Sequence, residues 1–214
     1  GTYERQGLQF HARVVRDMPP KTVQVDGPPR RHVTIYSDAE FAPGSGKPPR
    51  LGWVLFPGLG LQPIGQTLDL NPEITRAWKE RVQQIFPAET VALVITTWSL
   101  YRQLRDCDVT WFIDNEAAAA AGIRGASKEP DVTTIVQAAH LLWTSLGTRV
   151  WIEWIDTASN PSDGLSRAGL LDPWTQAQNW QLSVCRDPPW NSDAANSPEE
   201  LFHALWENIG QREG

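Results

Sequence analysis

The chain has 214 residues, 41% of them hydrophobic and 21% charged, the balance of a globular domain able to bury one sizeable core. A formal charge of -6 and a pI near 5.2 argue against a surface built for general polyanion binding, although a local basic groove can coexist with an acidic total. Two cysteines, Cys107 and Cys185, are too few for a disulfide framework, and no 18-residue apolar run or charged-then-apolar leader is present. The expectation is an intracellular protein, cytoplasmic or nuclear, with no membrane span. Because the chain begins at Gly1 and has Met18 as its one methionine, it reads as a piece of something longer.

Residues 1–31 read as a lead-in segment or linker, with strand-like stretches at 8–15 and 22–25 among Pro-rich breaks. A strand follows at 32–38, ending on Asp38, then a Gly- and Pro-rich turn at 43–49, a second strand at 51–56 and a weaker third at 62–70. A helix is expected at 87–104. The run 109–114 is β-branched and aromatic, with no helical spacing; it reads as a buried strand that ends on Asp114 and hands over to an Ala-rich helix closing at Gly122. In the segment 131–146, Val132, Ile135, Val136, Ala139, Leu142, Trp143 and Leu146 form one apolar stripe at helical spacing, ended by Gly147. A last strand is expected at 149–155 and a short helix near Asp163. The tail from 171 is rich in Pro, Trp and Asn and carries a further helix at 198–209. Three strands followed by helix, strand, helices, strand and helix make an α/β order: a meander first, then strands that need helical crossovers.

Four acids stand at the ends of these elements. Asp38 and Asp114 close two strands that, as parallel neighbours roughly 4.8 Å apart, would project both carboxylates from one edge of a sheet. Like charges so close repel unless a cation lies between them. With Pro87 and Pro161 as first helical residues, Glu89 and Asp163 fall at third positions, the latter behind Asn160 as a cap. Each alone is explained as an acid near a positive helix end. The four together point to a site for hard cations such as Mg²⁺ or Mn²⁺ and to phosphodiester hydrolysis by two such ions.

Ser37-Asp38-Ala39 with Leu51-Gly-Trp-Val, Gln84-Ile85 with Glu89-Thr-Val-Ala-Leu, Ile113-Asp114-Asn115 with the Ala-rich helix, and Asn160-Pro-Ser-Asp163-Gly-Leu-Ser-Arg167 resemble the ribonuclease H domains of retroelement polyproteins. The closest flavour is that of DIRS-like and long-terminal-repeat retrotransposons. The resemblance covers about residues 32–168. It implies a ribonuclease H-like α/β fold, a five-stranded mixed sheet of order 3-2-1-4-5 flanked by helices, bounded here as residues 32–170 between extensions at 1–31 and 171–214. It also implies Asp38, Glu89, Asp114 and Asp163 as metal-binding catalytic acids, two Mg²⁺ ions with Mn²⁺ as a substitute, and endonucleolytic cleavage of the RNA strand of RNA–DNA hybrids. An upstream reverse transcriptase domain is the expected neighbour. The chain departs from the family in lacking a histidine in the loop 156–159, in offering only Arg124 and Lys128 between 122 and 130, and in carrying Glu40 where a small polar residue is commoner.

Asn115 could contact a substrate phosphate or sugar, or cap the helix it precedes. Arg167 could approach phosphate, with surface pairing to an acid as the plainer alternative. His140 is expected to be structural or solvent-facing. Trp53, Trp111 and Trp143 fall in apolar patterns and are expected in the core, while Trp174, Trp180, Trp190 and Trp206 are expected to dock the tail onto the main domain or onto a missing partner. Two other readings compete. Asp38-Ala-Glu40 imitates the Asp-x-Glu of the superfamily's 3′-5′ exonucleases, but positions 158 and 159 are Ala and Ser rather than the His or Tyr those enzymes need. An inactive ribonuclease H-like scaffold module in a larger polymerase would suit the acidic pI and sparse basic residues.

Overall fold

A computed structural model describes residues 2–17, 29–42, 44–76, 78–79, 84–190 and 197–213. Its centre is β1 (His32–Glu40), hydrogen-bonded antiparallel to β2 (Arg50–Phe56) on one side and parallel to β4 (Asp108–Ile113) on the other. β3 (Ile64–Asp69) pairs antiparallel with β2, and β5 (Arg149–Trp154) pairs parallel with β4. This is the 3-2-1-4-5 order expected from the sequence. A sixth strand, β6 (Gln181–Val184), extends it alongside β3 to give β5-β4-β1-β2-β3-β6.

The helix α3 (Ile85–Ser99) buries every residue from Pro87 to Trp98, so it must be covered on all sides. The sheet lies on one side, and α6 (Pro130–Ser145) packs along it on another. Trp143 of α6 donates its indole N–H to Thr97 of α3 at 2.8 Å. Ile35 and Trp53 of the sheet are fully buried beneath α3, and Trp111 is fully buried with its ring 6.1 Å from that of Trp143 on α6. Trp53, Trp111 and Trp143 are therefore core, as their patterns indicated. The expected helix at 87–104 divides at Leu100, whose backbone leaves helical geometry before the short α4 (Tyr101–Leu104). Between β3 and α3 lies α2 (Pro72–Arg76).

Local chemistry sets the other boundaries. Asn115 caps α5 (Glu116–Arg124), its side chain accepting the Ala118 N–H at 3.0 Å, and Gly125 closes that helix in the left-handed region at φ 64°. His140, half-buried on α6, has Nε2 2.7 Å from the Gly122 carbonyl, so its role is structural.

The ends of the chain differ most from expectation. Residues 8–15 are not a strand but the middle of α1 (Thr2–Asp17). Gly7 and Phe10, three residues apart, are buried while Leu8 and Val15 are exposed, so burial follows a helical and not an alternating period. The expected strand at 22–25 lies outside the described residues. The tail packs on the domain. After the sheet come α7 (Asp163–Arg167), α8 (Pro173–Ala177), β6 and α9 (Pro198–Glu213), and α9 lays Leu201, Leu205 and Ile209 against α6. Trp174 meets Trp180 edge-on, and Trp180 meets Phe56 of β2 the same way. Trp190 is buried, and Trp206 packs against the core. No helix among the described residues is long and apolar enough to cross a membrane.

Candidate active site

β1 and β4 are in register with Ser37 opposite Ile113, so the next residues, Asp38 and Asp114, leave the same edge of the sheet side by side. Glu89 reaches this edge from α3. Its Oε1 accepts the Ala39 N–H at 3.2 Å, which pins the carboxylate to the strand that carries Asp38. Carboxylate oxygens of Asp38, Glu89 and Asp114 lie within 4.8 Å of one another. Glu89 is the fifth residue of its helix and not the third, because α3 begins at Ile85. The N–H groups of a helix's first turn need no intrahelical partner, so Pro87 marks the turn without marking its first residue.

The electrostatics of the cluster favour positive charge beside the three acids. Burial, then the charge of Asp114, raises the Asp38 carboxyl to about 7, against the opposing pull of the Ser166 hydroxyl, which donates to Asp38 Oδ2. Burial raises Glu89 well above the usual carboxylate range, with the charges of Asp38 and Asp114 adding to it. No lysine or arginine among the described residues pairs with any of the three. Glu89 Oε2 is buried without a hydrogen-bond partner. Such an acceptor costs roughly 1–3 kcal/mol or more when nothing satisfies it. A carboxylate-only donor set with an unsatisfied buried oxygen fits a hard divalent cation. A cavity of about 320 Å³ opens onto the cluster, lined also by Glu40, Phe41, Asn115, Thr157 and Arg167.

Asp163 occupies a different position. It is the first residue of α7, and the cap ahead of it is Ser162, not Asn160. Asn160 is spent elsewhere: Oδ1 accepts from the Ser162 N–H and hydroxyl at 3.1 and 2.6 Å, while Nδ2 donates to the Ser37 carbonyl at 3.1 Å. This clamps the loop to β1 one residue before Asp38. Asp163 is near enough for its charge to help raise Asp38, yet it stands outside the three-carboxylate cluster and forms an ion pair with Arg167, Nε to Oδ1 2.9 Å. It faces an adjoining depression of about 390 Å³ shared with Asn160, Asp172 and Trp174. Arg167 thus takes its plainer role on present geometry, and Asn115 is engaged as a cap while lining the cavity.

Ser166 and Gly52 were given no individual role from sequence, and Asn160 only that of a helix cap. Gly52 stands opposite Asp38 in the register, and a Cβ there would collide with the Ser166 backbone and come within 2.7 Å of Leu165. The bare backbone lets α7 lie flat on the sheet beside Asp38. The spacing of Ser166 from Asp163, one helical turn, was a usable signal for the first of these. The loop without histidine is a 3-10 turn, Thr157–Ser159, capped by Asp156.

No family model and no curated protein matches the chain. Among solved structures it is similar to the N-terminal RNase H domain of a Mycobacterium tuberculosis protein, at 21% identity over 65% of this chain and 93% of that one, TM-score 0.47. It is similar to RNase H1 of the archaeon Halobacterium salinarum at 23% identity, over 65% and 97%, TM-score 0.46. A third is the foamy viral protease-reverse transcriptase solved with an RNA/DNA hybrid, at 14% identity over 71% of this chain and 22% of that one, TM-score 0.42. Strand order and register within the chain itself establish the ribonuclease H-like architecture.

Proposed function

We propose that the chain is a metal-dependent endonuclease that hydrolyses the RNA strand of RNA–DNA hybrids, working inside the cell as part of a reverse-transcribing element of the retrotransposon kind, next to a reverse transcriptase domain. The observation that carries this is the convergence of Asp38, Glu89 and Asp114 with the orphaned Glu89 Oε2, at the mouth of an open cavity. Asp38, Glu89 and Asp114 would hold Mg²⁺, or Mn²⁺ in its place, with Asp163 as the outer ligand of a second ion; such ions supply water activation and stabilisation of the leaving oxygen.

The chain's own residues provide the positioning. The Ala39 N–H and the Ser166 hydroxyl fix the carboxylates of Glu89 and Asp38, and Asn160 ties the α7 loop to the strand behind them. Asp114 is less buried than its neighbours and faces the cavity a substrate would enter. For Asp163 to serve, Arg167 must release it, after which the guanidinium is free to meet a substrate phosphate. Hybrid selectivity would come from 2′-hydroxyl and backbone contacts across a wide minor groove.

The ion pair between Asp163 and Arg167 favours a second reading, an inactive scaffold module in which the fourth acid is engaged by an arginine, with its buried Oδ1 making no hydrogen bond. End-labelled RNA–DNA hybrid, duplex DNA and single-stranded RNA, each with Mg²⁺, Mn²⁺ or EDTA, separate the possibilities. Internal cuts in hybrid RNA that vanish in EDTA are expected. Inertness under all conditions would establish the scaffold, and stepwise trimming from a 3′ end would establish an exonuclease.

A further inference from the structure

A chain of net charge -6 gathers three arginines at one place away from the acids. Arg186 and Arg212 both stand over the ring of Trp98, at 5.2 and 5.1 Å, and Arg212 and Arg102 stand over Tyr101 at 5.0 and 5.5 Å. None of the three pairs with a carboxylate among the described residues. Their contacts are neutral ones. Arg102 donates to the Tyr101 hydroxyl and the Arg212 carbonyl, Arg186 to the Asn208 side chain at 3.0 Å, and Arg212 to the Trp98 carbonyl at 3.4 Å. Burial, then the charge of Arg186 and more weakly that of Arg102, holds the Arg212 guanidinium below its ordinary range. Like charges gathered with no carboxylate paired to them among the described residues are a cost that an anion would relieve.

A guanidinium has five N–H donors; Arg102 spends its Nε and Nη2 edge on Tyr101 and Arg212, and Arg186 one Nη2 donor on Asn208, which leaves each with further N–H groups for a phosphate. Arg102 and Arg186 are exposed and can present them. The position is equally informative. Cys185 donates its backbone N–H to Thr67, which lies opposite Gly52, which lies opposite Asp38. Arg186 therefore follows a residue on the same transverse row as Asp38, three strand spacings away, about 14 Å at about 4.8 Å per strand. That is within the reach of one nucleic-acid duplex lying across the sheet edge.

We propose that Arg102, Arg186 and Arg212, gathered around Trp98 and Tyr101, bind the phosphodiester backbone of the hybrid at a second point beyond the acidic cluster. This rests on the proposed function for the identity of the duplex and supplies the grip that the sparse 122–130 segment does not.

The test is fluorescence anisotropy of a labelled RNA–DNA hybrid in EDTA, titrated across salt concentration, with cleavage in Mg²⁺ followed separately. The double variant Arg102→Gln/Arg186→Gln is expected to bind about tenfold more weakly and to lower the slope of log affinity against log salt by about 1–2. The double variant Arg102→Lys/Arg186→Lys should recover most of the slope, which a merely structural role for these side chains would not predict. Unchanged affinity and slope in the Gln variant would overturn the proposal while leaving hydrolysis standing. Loss of hybrid cleavage in every form of the protein, with arginine-dependent binding retained, would overturn the nuclease reading and leave this one. Equal arginine-dependent binding of poly-glutamate would assign the cluster to an acidic polypeptide and overturn the phosphodiester assignment.

Discussion

Asp38 and Glu89 are acids held where the charged form is expensive, 6% and 2% exposed and each beside another carboxylate. Asp38 has its pKa raised, so the folded protein binds more protons than the unfolded chain between the ordinary value of 3.8 and about 7. Stability is then full below pH 3.8 as far as this group is concerned and is lost as pH rises toward 7, by at most about 1.4 kcal/mol per pH unit for one proton. Thermal melts of metal-free protein should show that decline. Asp38→Asn should flatten it, and so should saturating Mg²⁺; a slope that survives both places its source elsewhere. Asp114→Asn should abolish cleavage, by on the order of 10²–10³-fold or more, the range seen when one transition-state contact is removed. Its melting temperature without metal should stay level or rise, because a repelling charge has gone, and unchanged cleavage would show that the site is misplaced. The positions of Asp38 and Asp114 were legible in sequence because each follows a local β-branched and aromatic run, although β1 does not end at Asp38 as expected but continues to Glu40 along β2. Pairing of Arg167 with an acid was legible as the plainer of two readings, but its partner Asp163 was not, since a helical spacing of four permits an ion pair without requiring it.

At the level of elements, α7 sits where it does because β2 offers no side chain opposite Asp38. Gly52→Ala would drive a methyl group into the Ser166 and Leu165 backbone, and backbone cannot swing aside as a side-chain tip can. Overpacking of this kind costs about 1–3 kcal/mol. The expected result is a lower denaturation midpoint together with disproportionate loss of cleavage, since the same displacement pulls Ser166 from Asp38. Loss of stability with full specific activity in the folded fraction would show that α7 does not position the site. β1 to β5 could be read from the chain because apolar alternation, turns and the stripe of α6 are local signals. β6, with the sequence Gln-Leu-Ser-Val, has too little pattern to announce a strand and forms because β3 offers a free edge. α1 was misread for a different reason: Tyr3, Gly7, Phe10 and Val14 recur at helical spacing, and that period was passed over for the local β-branched content of Val14 and Val15.

For the whole molecule, the tail belongs to the core energetically. Leu201, Leu205 and Ile209 are at most 1% exposed, and each such side chain is worth about 1.5–3 kcal/mol of burial, together about 5–9 kcal/mol. A domain of ordinary stability has about 5–15 kcal/mol in total. A fragment ending at residue 170 would also uncover the β3 edge and the faces of Trp98 and Tyr101 that the arginines now cover. Such a fragment, although it contains all four acids, should therefore lose its cooperative thermal transition and aggregate, as followed by circular dichroism and light scattering. The milder variant Leu201→Ala/Leu205→Ala should lower the melting temperature sharply while leaving the far-ultraviolet spectrum of the folded protein unchanged. A fragment that melts cooperatively near the full chain's temperature would mean that α9 and β6 ride on an independently stable unit, and the arginine cluster would then stand on a separable appendage.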